Sequence, residues 1–358
     1  MSEVALGSSV SLAEAADMVE HVGQKLSYIF QGEMGIGKSF ILETLTTRPS
    51  LADYRFVFAE VQTYDVSDLS GVPFTEVING VKVTRFAPNF CTGMHSDKPV
   101  VFMADEIGKA SRPVQNSTLR LLQSRKIGEY SMPPGSIVFG TTNLVSEGLG
   151  DHVQQHAVNR VSFVPIRKPN ASEWLPWAMA HNMHPIILAW VKKFPHCLAS
   201  YTEGEGNPYI SYPSKTQGAF VSPRSLENAS HIMWARGLIG DNATTASIKG
   251  CVGAAAAGDI MTFAQTFDRL PTWEQTVNDP EGCMVPTAQD FAANFVTVFS
   301  GISLVDKQTF APFMRYLKRL PKEYQGVFAL NVLTSPKRSI ALENRGFITW
   351  ASENCWLV

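Results

Sequence analysis

The residues with the most explicit chemistry lie early in the chain. Gly32, Glu33, Met34, Gly35, Ile36, Gly37, Lys38 and Ser39 follow the spacing Gly-x-x-x-x-Gly-Lys-Ser/Thr, and Phe40 opens the helical pattern after them. Phosphates suit this arrangement. Glycines let the backbone fold closely round an anion with its N–H groups turned inward, and a following helix offers its positive N-terminal end. Lys38 would reach the β- and γ-phosphates of a nucleotide, and the Ser39 hydroxyl would ligate Mg²⁺. A second group follows the apolar run Pro99–Ala104, where Asp105 and Glu106 stand together. A carboxylate at the end of a buried parallel strand points into the crevice where ligands bind. Asp105 would hold the metal and Glu106 would activate the attacking water as a general base. Asn143 closes the run Ser136–Gly140 and Thr-Thr. It would orient the water beside the γ-phosphate, or it is an ordinary turn residue, a place Asn favours. Two arginines, Arg160 and Arg224, carry rigid, permanently charged forks suited to transition-state phosphate oxygens.

These groups need elements to hold them. Ser9 or Ser11 caps a first helix over about 11–24, with Glu14 completing a capping box. Strands are predicted at 25–31, 54–61, 99–104 and 136–140, with helices after Ser39 and over about 113–124. Strands alternating with helices predict an α/β fold with a parallel sheet. Between the second and third strands, 75–84 alternates around Asn79-Gly80, a strong hairpin signal. Near Arg167-Lys-Pro169 the pattern changes to Trp-, Met- and Ala-rich helix, with helices at 172–179, 185–193 and 225–238 and a loop at 203–217. Phe291, Phe295 and Phe299 recur every four residues. Trp174, Trp177, Trp190 and Trp234 are expected in the core of this helical part. The expected domains are an α/β core at 1–166, a helical lid at 167–245 and a mainly helical region at 246–358.

Composition narrows the class. The chain has 358 residues, 45% hydrophobic and 17% charged, which is ordinary globular usage and long enough for about two domains. A net charge of −2 argues against a strongly basic nucleic-acid binder. The first residues lack a basic region before an apolar one, and no window offers about 18 uninterrupted apolar residues, so a cytoplasmic protein without a membrane span is expected. The five cysteines are far apart, without metal-site spacing. His152 and His156 lie four apart with no third ligand, and read as surface or core histidines.

The order of phosphate loop, Asp-Glu strand, Asn strand and following Arg resembles an AAA+ ATPase, and within that group the MoxR-like branch. Asp65-Val-Ser-Asp-Leu-Ser-Gly71, Asp105-Glu-Ile-Gly-Lys-Ala-Ser111 with Val114-Gln-Asn116, Asn143, His156-Ala-Val-Asn-Arg-Val161 and Ser222-Pro-Arg-Ser225 carry the resemblance, over roughly residues 10–240. It implies a P-loop core, ATP and Mg²⁺ as ligands, and ATP hydrolysis to ADP and phosphate. Asn143 is then the sensor at the γ-phosphate. Arg160 resembles the arginine finger that completes the neighbouring subunit's site, and Arg224 the second sensor, acting in cis. A hexameric ring is implied, with protein clients and often a partner carrying a von Willebrand factor A domain. The chain departs from the family at Asn159, usually Asp, and at Gly108-Lys109, usually Asn-Arg; Lys109 or Arg112 could substitute for the missing Arg. Val81, Val83, Phe86 and Phe90 either line a partner-gripping loop at a central pore or pack on their own domain. The leading expectation is a remodelling motor or chaperone. A DNA-directed AAA+ protein is the alternative, with salt-sensitive DNA binding as its mark. A third possibility, a scaffold that binds ATP without hydrolysing it, sits poorly with an intact Asp105-Glu106 pair.

Overall fold

A computed structural model describes residues 9–144, 161–203, 206–212 and 218–357. Arg160, Asn159, His152 and His156 lie outside the described residues. The chain divides into two compact units, residues 1–168 and 169–358.

The first unit is built on a five-stranded parallel sheet. Its strands are β1 (Tyr28–Gly32), β2 (Arg55–Glu60), β5 (Val100–Asp105), β8 (Ile137–Asn143) and β9 (Ser162–Pro165), in the order β2-β5-β8-β1-β9. Between these run the hairpin β3 (Val72–Ile78) and β4 (Val81–Ala87) and the short pair β6 (Lys126–Ile127) and β7 (Tyr130–Ser131). The chain leaves β1 for one edge of the sheet, while the strand after β8 lies on the other side of β1. The carboxyl ends of β1 and β8 therefore meet at a topological switch, where doubly wound sheets open a crevice.

Burial on both faces explains the near-continuous apolar strands. In β5, Val100, Phe102 and Ala104 pack with Leu69 of α3 (Val66–Ser70) and Val114, Leu119 and Leu122 of α4 (Arg112–Ser124). The alternate residues Val101 and Met103 face the other layer, with Ala15, Ala16 and Val19 of α1 (Leu12–Val22) and Ile41, Leu42 and Leu45 of α2 (Phe40–Thr46). The period of two thus sends each strand's side chains into two separate cores. The expected capping box at α1 forms: Glu14 N–H donates to Ser11 Oγ at 3.2 Å, and Ser11 N–H donates to Glu14 Oε2 at 2.7 Å.

The Asn-Gly hairpin also forms, with Asn79 and Gly80 both at positive φ (51° and 80°) and Ile78 opposite Val81. That is the turn whose twist matches its flanking strands. Arg85 on β4 pairs across the hairpin with Glu76 on β3 at 3.0 Å and ties the hairpin to Glu129 at 3.1 Å. Val72, Phe74, Val77, Ile78, Val81, Phe86 and Phe90 are nevertheless exposed, and Val83 is half-buried.

Among its described residues the second unit is helical: α5 (Ala171–Ala180), α6 (Pro185–Lys193), α7 (Pro223–Val252), α8 (Ala254–Phe267), α9 (Trp273–Asn278), α10 (Phe291–Leu304), α11 (Phe310–Leu317), α12 (Lys322–Thr334), α13 (Arg338–Glu343) and α14 (Arg345–Glu353). One apolar core takes in residues from Ala171 to Trp350. The helix expected at 225–238 continues to Val252, broken by a kink at Gly240, whose φ of 78° is not helical. One expectation of burial is corrected. Trp174 and Trp190 are core residues and Trp177 is partly buried, but Trp234 is 52% exposed, donating from its indole N–H to Asn182 O at 3.1 Å. Phe299 is buried, whereas Phe291 is exposed beneath the Lys193 ammonium. A spacing of four turns gradually round a helix of 3.6 residues per turn, so the three rings do not share one depth. No helix among the described residues is long and apolar enough to cross a membrane.

Candidate functional site

The phosphate-loop motif begins where β1 ends. Gly32 pairs in register with Asn143 at the end of β8, and Glu60 with Asp105 at the end of β5. With Ala104 of β5 opposite Gly140 of β8, register alone brings the carboxyl ends of these four strands to one end of the sheet. In the loop, Gly35 and Gly37 have φ of 74° and 91°, a region that side chains with a Cβ avoid. A Cβ on Gly32 would lie 2.7 Å from Ile36 Cδ1, so the loop closes tightly against its own strand.

Lys38 is turned back into this loop and is only 7% exposed. Its Nζ donates to Gly32 O at 3.0 Å, Glu33 O at 2.9 Å and Asn143 Oδ1 at 2.6 Å. A buried ammonium needs such acceptors, because desolvation without them is costly. Asn143 is more than a turn residue here. Its Oδ1 accepts a hydrogen bond from Lys38 Nζ while its Nδ2 donates to Glu106 Oε1 at 3.2 Å, so one amide joins the phosphate loop to the carboxylate. Ser39 follows Lys38 at the head of α2 with no side-chain capping bond.

Asp105 is the last residue of β5, half-buried, and Thr141 Oγ1 donates to its Oδ1. Thr141 Oγ1 also accepts from Glu106 N–H at 3.3 Å. Glu106 has φ 55° and ψ 43°, left-handed, at a cost of roughly 1–2 kcal/mol for a residue with a Cβ. One 3₁₀ turn, Ile107–Lys109, follows, and Lys109 Nζ pairs with Glu106 Oε2. The neighbourhood accommodates this turn through Gly140 of β8: a Cβ there would stand 2.2 Å from Ile107 Cδ1.

The structure thus gathers Gly32, Lys38, Asp105, Glu106 and Asn143. Arg224 stands exposed at the second position of α7, after Ser222 as N-cap and Pro223 as first residue, in the second unit. The cis contact of Lys109 and the role of Thr141 were not read from sequence. Alternation could have pointed to Thr141, which lies two residues before Asn143 on the same strand.

No group of three or more His, Cys, Asp or Glu among the described residues could cage a metal. The oxygen donors Ser39 and Asp105 suit Mg²⁺, which binds through one or two protein oxygens and completes its shell with water and phosphate. Chemically the arrangement offers a cation for phosphate, hard oxygen donors for a metal, and a carboxylate for water.

Fold and site together define an α/β P-loop core, joined in this chain to a helical second unit. No protein-family model and no curated protein matches the sequence. Similar solved structures include NtrX from Brucella abortus with ADP, at 15% identity and a TM-score of 0.39, covering 100% of this chain and 69% of that one. NtrX with ATP has the same identity and TM-score, with 98% and 69% covered. An ATPase-type protein of Cytophaga hutchinsonii is similar at 12% identity and a TM-score of 0.29, with 68% and 82% covered.

Proposed function

We propose that this chain is an AAA+ ATPase that hydrolyses ATP to ADP and phosphate. The observation that carries the proposal is the bridge Lys38–Asn143–Glu106, formed across the ends of the adjacent strands β1, β8 and β5 with Asp105 beside it. Residues 32–40 hold the nucleotide. Lys38 exchanges its Asn143 contact for phosphate oxygens, which in turn alters the hold of Asn143 on Glu106. Glu106 takes a proton from the attacking water, and Thr141 keeps the Asp105 carboxylate in place. Ser39 and Asp105 would hold Mg²⁺, whose positive charge would offset the charge on the phosphate.

The finer assignments rest on the sequence resemblance. Arg160 completes the neighbouring subunit's site, Arg224 follows the nucleotide from the helical lid, and the active form is a ring, hexameric in the MoxR-like branch. Its work is remodelling or assembling protein clients, with a von Willebrand factor A partner among the candidates and the cytoplasm as its place. The exposed apolar hairpin β3–β4 supports a client-gripping role, since contiguous exposed apolar surface marks interaction sites.

The test uses the purified chain. Lys38→Ala should lose ATP binding. Glu106→Gln should keep binding and lose turnover by about 10²-fold or more. Equal binding and equal turnover in both variants would show that the site is assigned to the wrong residues.

A further inference from the structure

Glu106 is held at both carboxylate oxygens. Asn143 Nδ2 donates to Oε1, and Lys109 Nζ faces Oε2, which is shut off from solvent. Lys109 reaches this position because residues 107–109 form a single 3₁₀ turn, in which side chains three apart eclipse one another. Lys109 N–H donates to Glu106 O at 2.9 Å and closes the turn. Buried Gln115 braces the same turn from α4, its Nε2 donating to Ala110 O at 3.0 Å and Gly108 O at 3.4 Å. The turn that carries Lys109 is therefore fixed, and so is the side on which its charge meets Glu106.

We propose that Lys109 is a positioning residue that latches Glu106 in cis and holds its carboxylate back from the attacking water; phosphate binding rearranges the Lys38–Asn143–Glu106 bridge and leaves the Lys109 contact as the remaining restraint. The proposal rests on the ATPase assignment. Its geometry differs from that of a group reaching into a neighbouring subunit: the Lys109 ammonium is engaged by the carboxylate three residues before it. The contact is also weak enough to open. The Lys109 side chain is 30% exposed and that of Glu106 19%. Ion pairs with this much solvent contact shift equilibria by only a few-fold. Asn143 couples the two events, because the same side chain that grips Glu106 also accepts from Lys38. When Lys38 turns to a phosphate, Asn143 is free to reorient, and the latch then holds Glu106 by one contact instead of two.

The experiment measures phosphate release at saturating Mg²⁺-ATP, together with equilibrium ATP binding and the thermal midpoint, on the full chain. Lys109→Met should raise turnover by roughly three- to tenfold, in line with the loss of a partly exposed ion pair. ATP affinity should stay within about twofold, because the Lys109 ammonium is paired with Glu106. Lys109→Arg keeps the charge and should turn over more slowly than Lys109→Met. Adding Glu106→Gln to Lys109→Met should erase the gain. The latch is overturned if Lys109→Met, folded with an unchanged midpoint, turns over no faster than the parent while Glu106→Gln alone is inactive; the ATPase assignment survives that result. If Glu106→Gln alone keeps full turnover, the assignment and the latch fall together.

Discussion

Replacing Gly140 by Ala should disturb the site without touching any residue that would meet a ligand. Gly140 lies on β8, opposite Ile29 of β1 and Ala104 of β5. An added Cβ would come within 2.2 Å of Ile107 Cδ1 and 3.2 Å of Ala104 O. The first distance is far inside van der Waals contact, so something must move. The buried Ile107 side chain is directly attached to the turn that carries Glu106 and Lys109, and the β5 backbone cannot yield. Overpacking of this kind costs about 1–3 kcal/mol. In a unit of this size that lowers the unfolding midpoint by roughly 2–4 °C for each kcal/mol. Turnover should fall as well, because Glu106 is displaced with the turn. Ile107→Val removes the offending Cδ1 and alone costs about 0.5–1.5 kcal/mol. The nearest remaining contacts of a Cβ on residue 140 would then be 3.2 Å to Ala104 O and 3.3 Å to Ile107 Cγ1, which a small shift accommodates. The double variant should therefore be more stable than the sum of the two single effects predicts, by about 1 kcal/mol or more, and should regain turnover. The assay is a double-mutant cycle in urea, read with phosphate release. Simple additivity, or a Gly140→Ala variant as stable as its parent, would refute the idea that this glycine makes room for the catalytic turn.

Two further outcomes are expected. Burial, and secondarily the nearby Arg236, pushes the His184 pKa down to about 4, and its Nδ1 accepts from Ile186 N–H at the head of α6. Its folded value lies below its unfolded one, so stability is full above about pH 6.5 and declines as pH falls toward 4, by on the order of 3 kcal/mol at most. Thermal melts at pH 7 and 4.5 should show this loss, and His184→Gln, which keeps an acceptor, should show less of it; an equal loss in both proteins would remove His184 as the cause. Arg160→Ala subunits should be inactive alone yet regain activity when mixed with Glu106→Gln subunits, because some interfaces then join an intact Glu106 to an intact Arg160. Fingers of this kind are worth about 10³–10⁵ in rate, so a few repaired interfaces are visible, and background activity in co-assembled mixtures would rule out action in trans.

Much of the first unit was legible because its signals are local. The phosphate loop is defined by glycine positions, the hairpin by Asn79-Gly80, the first helix by Ser11 and Glu14, and the buried strands by unbroken apolar runs. The contacts that organise the site were not legible, because they depend on register and on an unusual backbone. Thr141 meets Asp105 only once β5 and β8 are aligned. Lys109 meets Glu106 through a tight turn whose leading residue, Glu106, takes a left-handed conformation that its type rarely adopts. Asn143 was visible as a polar strand end, but its two-way bridge needed Lys38 to curl back over Gly32 and Glu33. In the second unit, periodicity gave the helices but not their depth. Trp234 has the spacing of a core residue and lies at the surface, its indole N–H satisfied by a backbone carbonyl. The helix expected at 225–238 resumes beyond a kink at Gly240 and runs on to Val252.

In the proposed function, the ends of β1, β5 and β8 form one ATP-hydrolysing site with Glu106 as its base. The most direct measurement is phosphate release by the parent chain and by Glu106→Gln, each saturated with Mg²⁺-ATP and each shown to have bound it. Release by the parent, with a loss of about 10²-fold or more in Glu106→Gln at unchanged ATP occupancy, is the predicted result. Equal release from the two saturated proteins would contradict it.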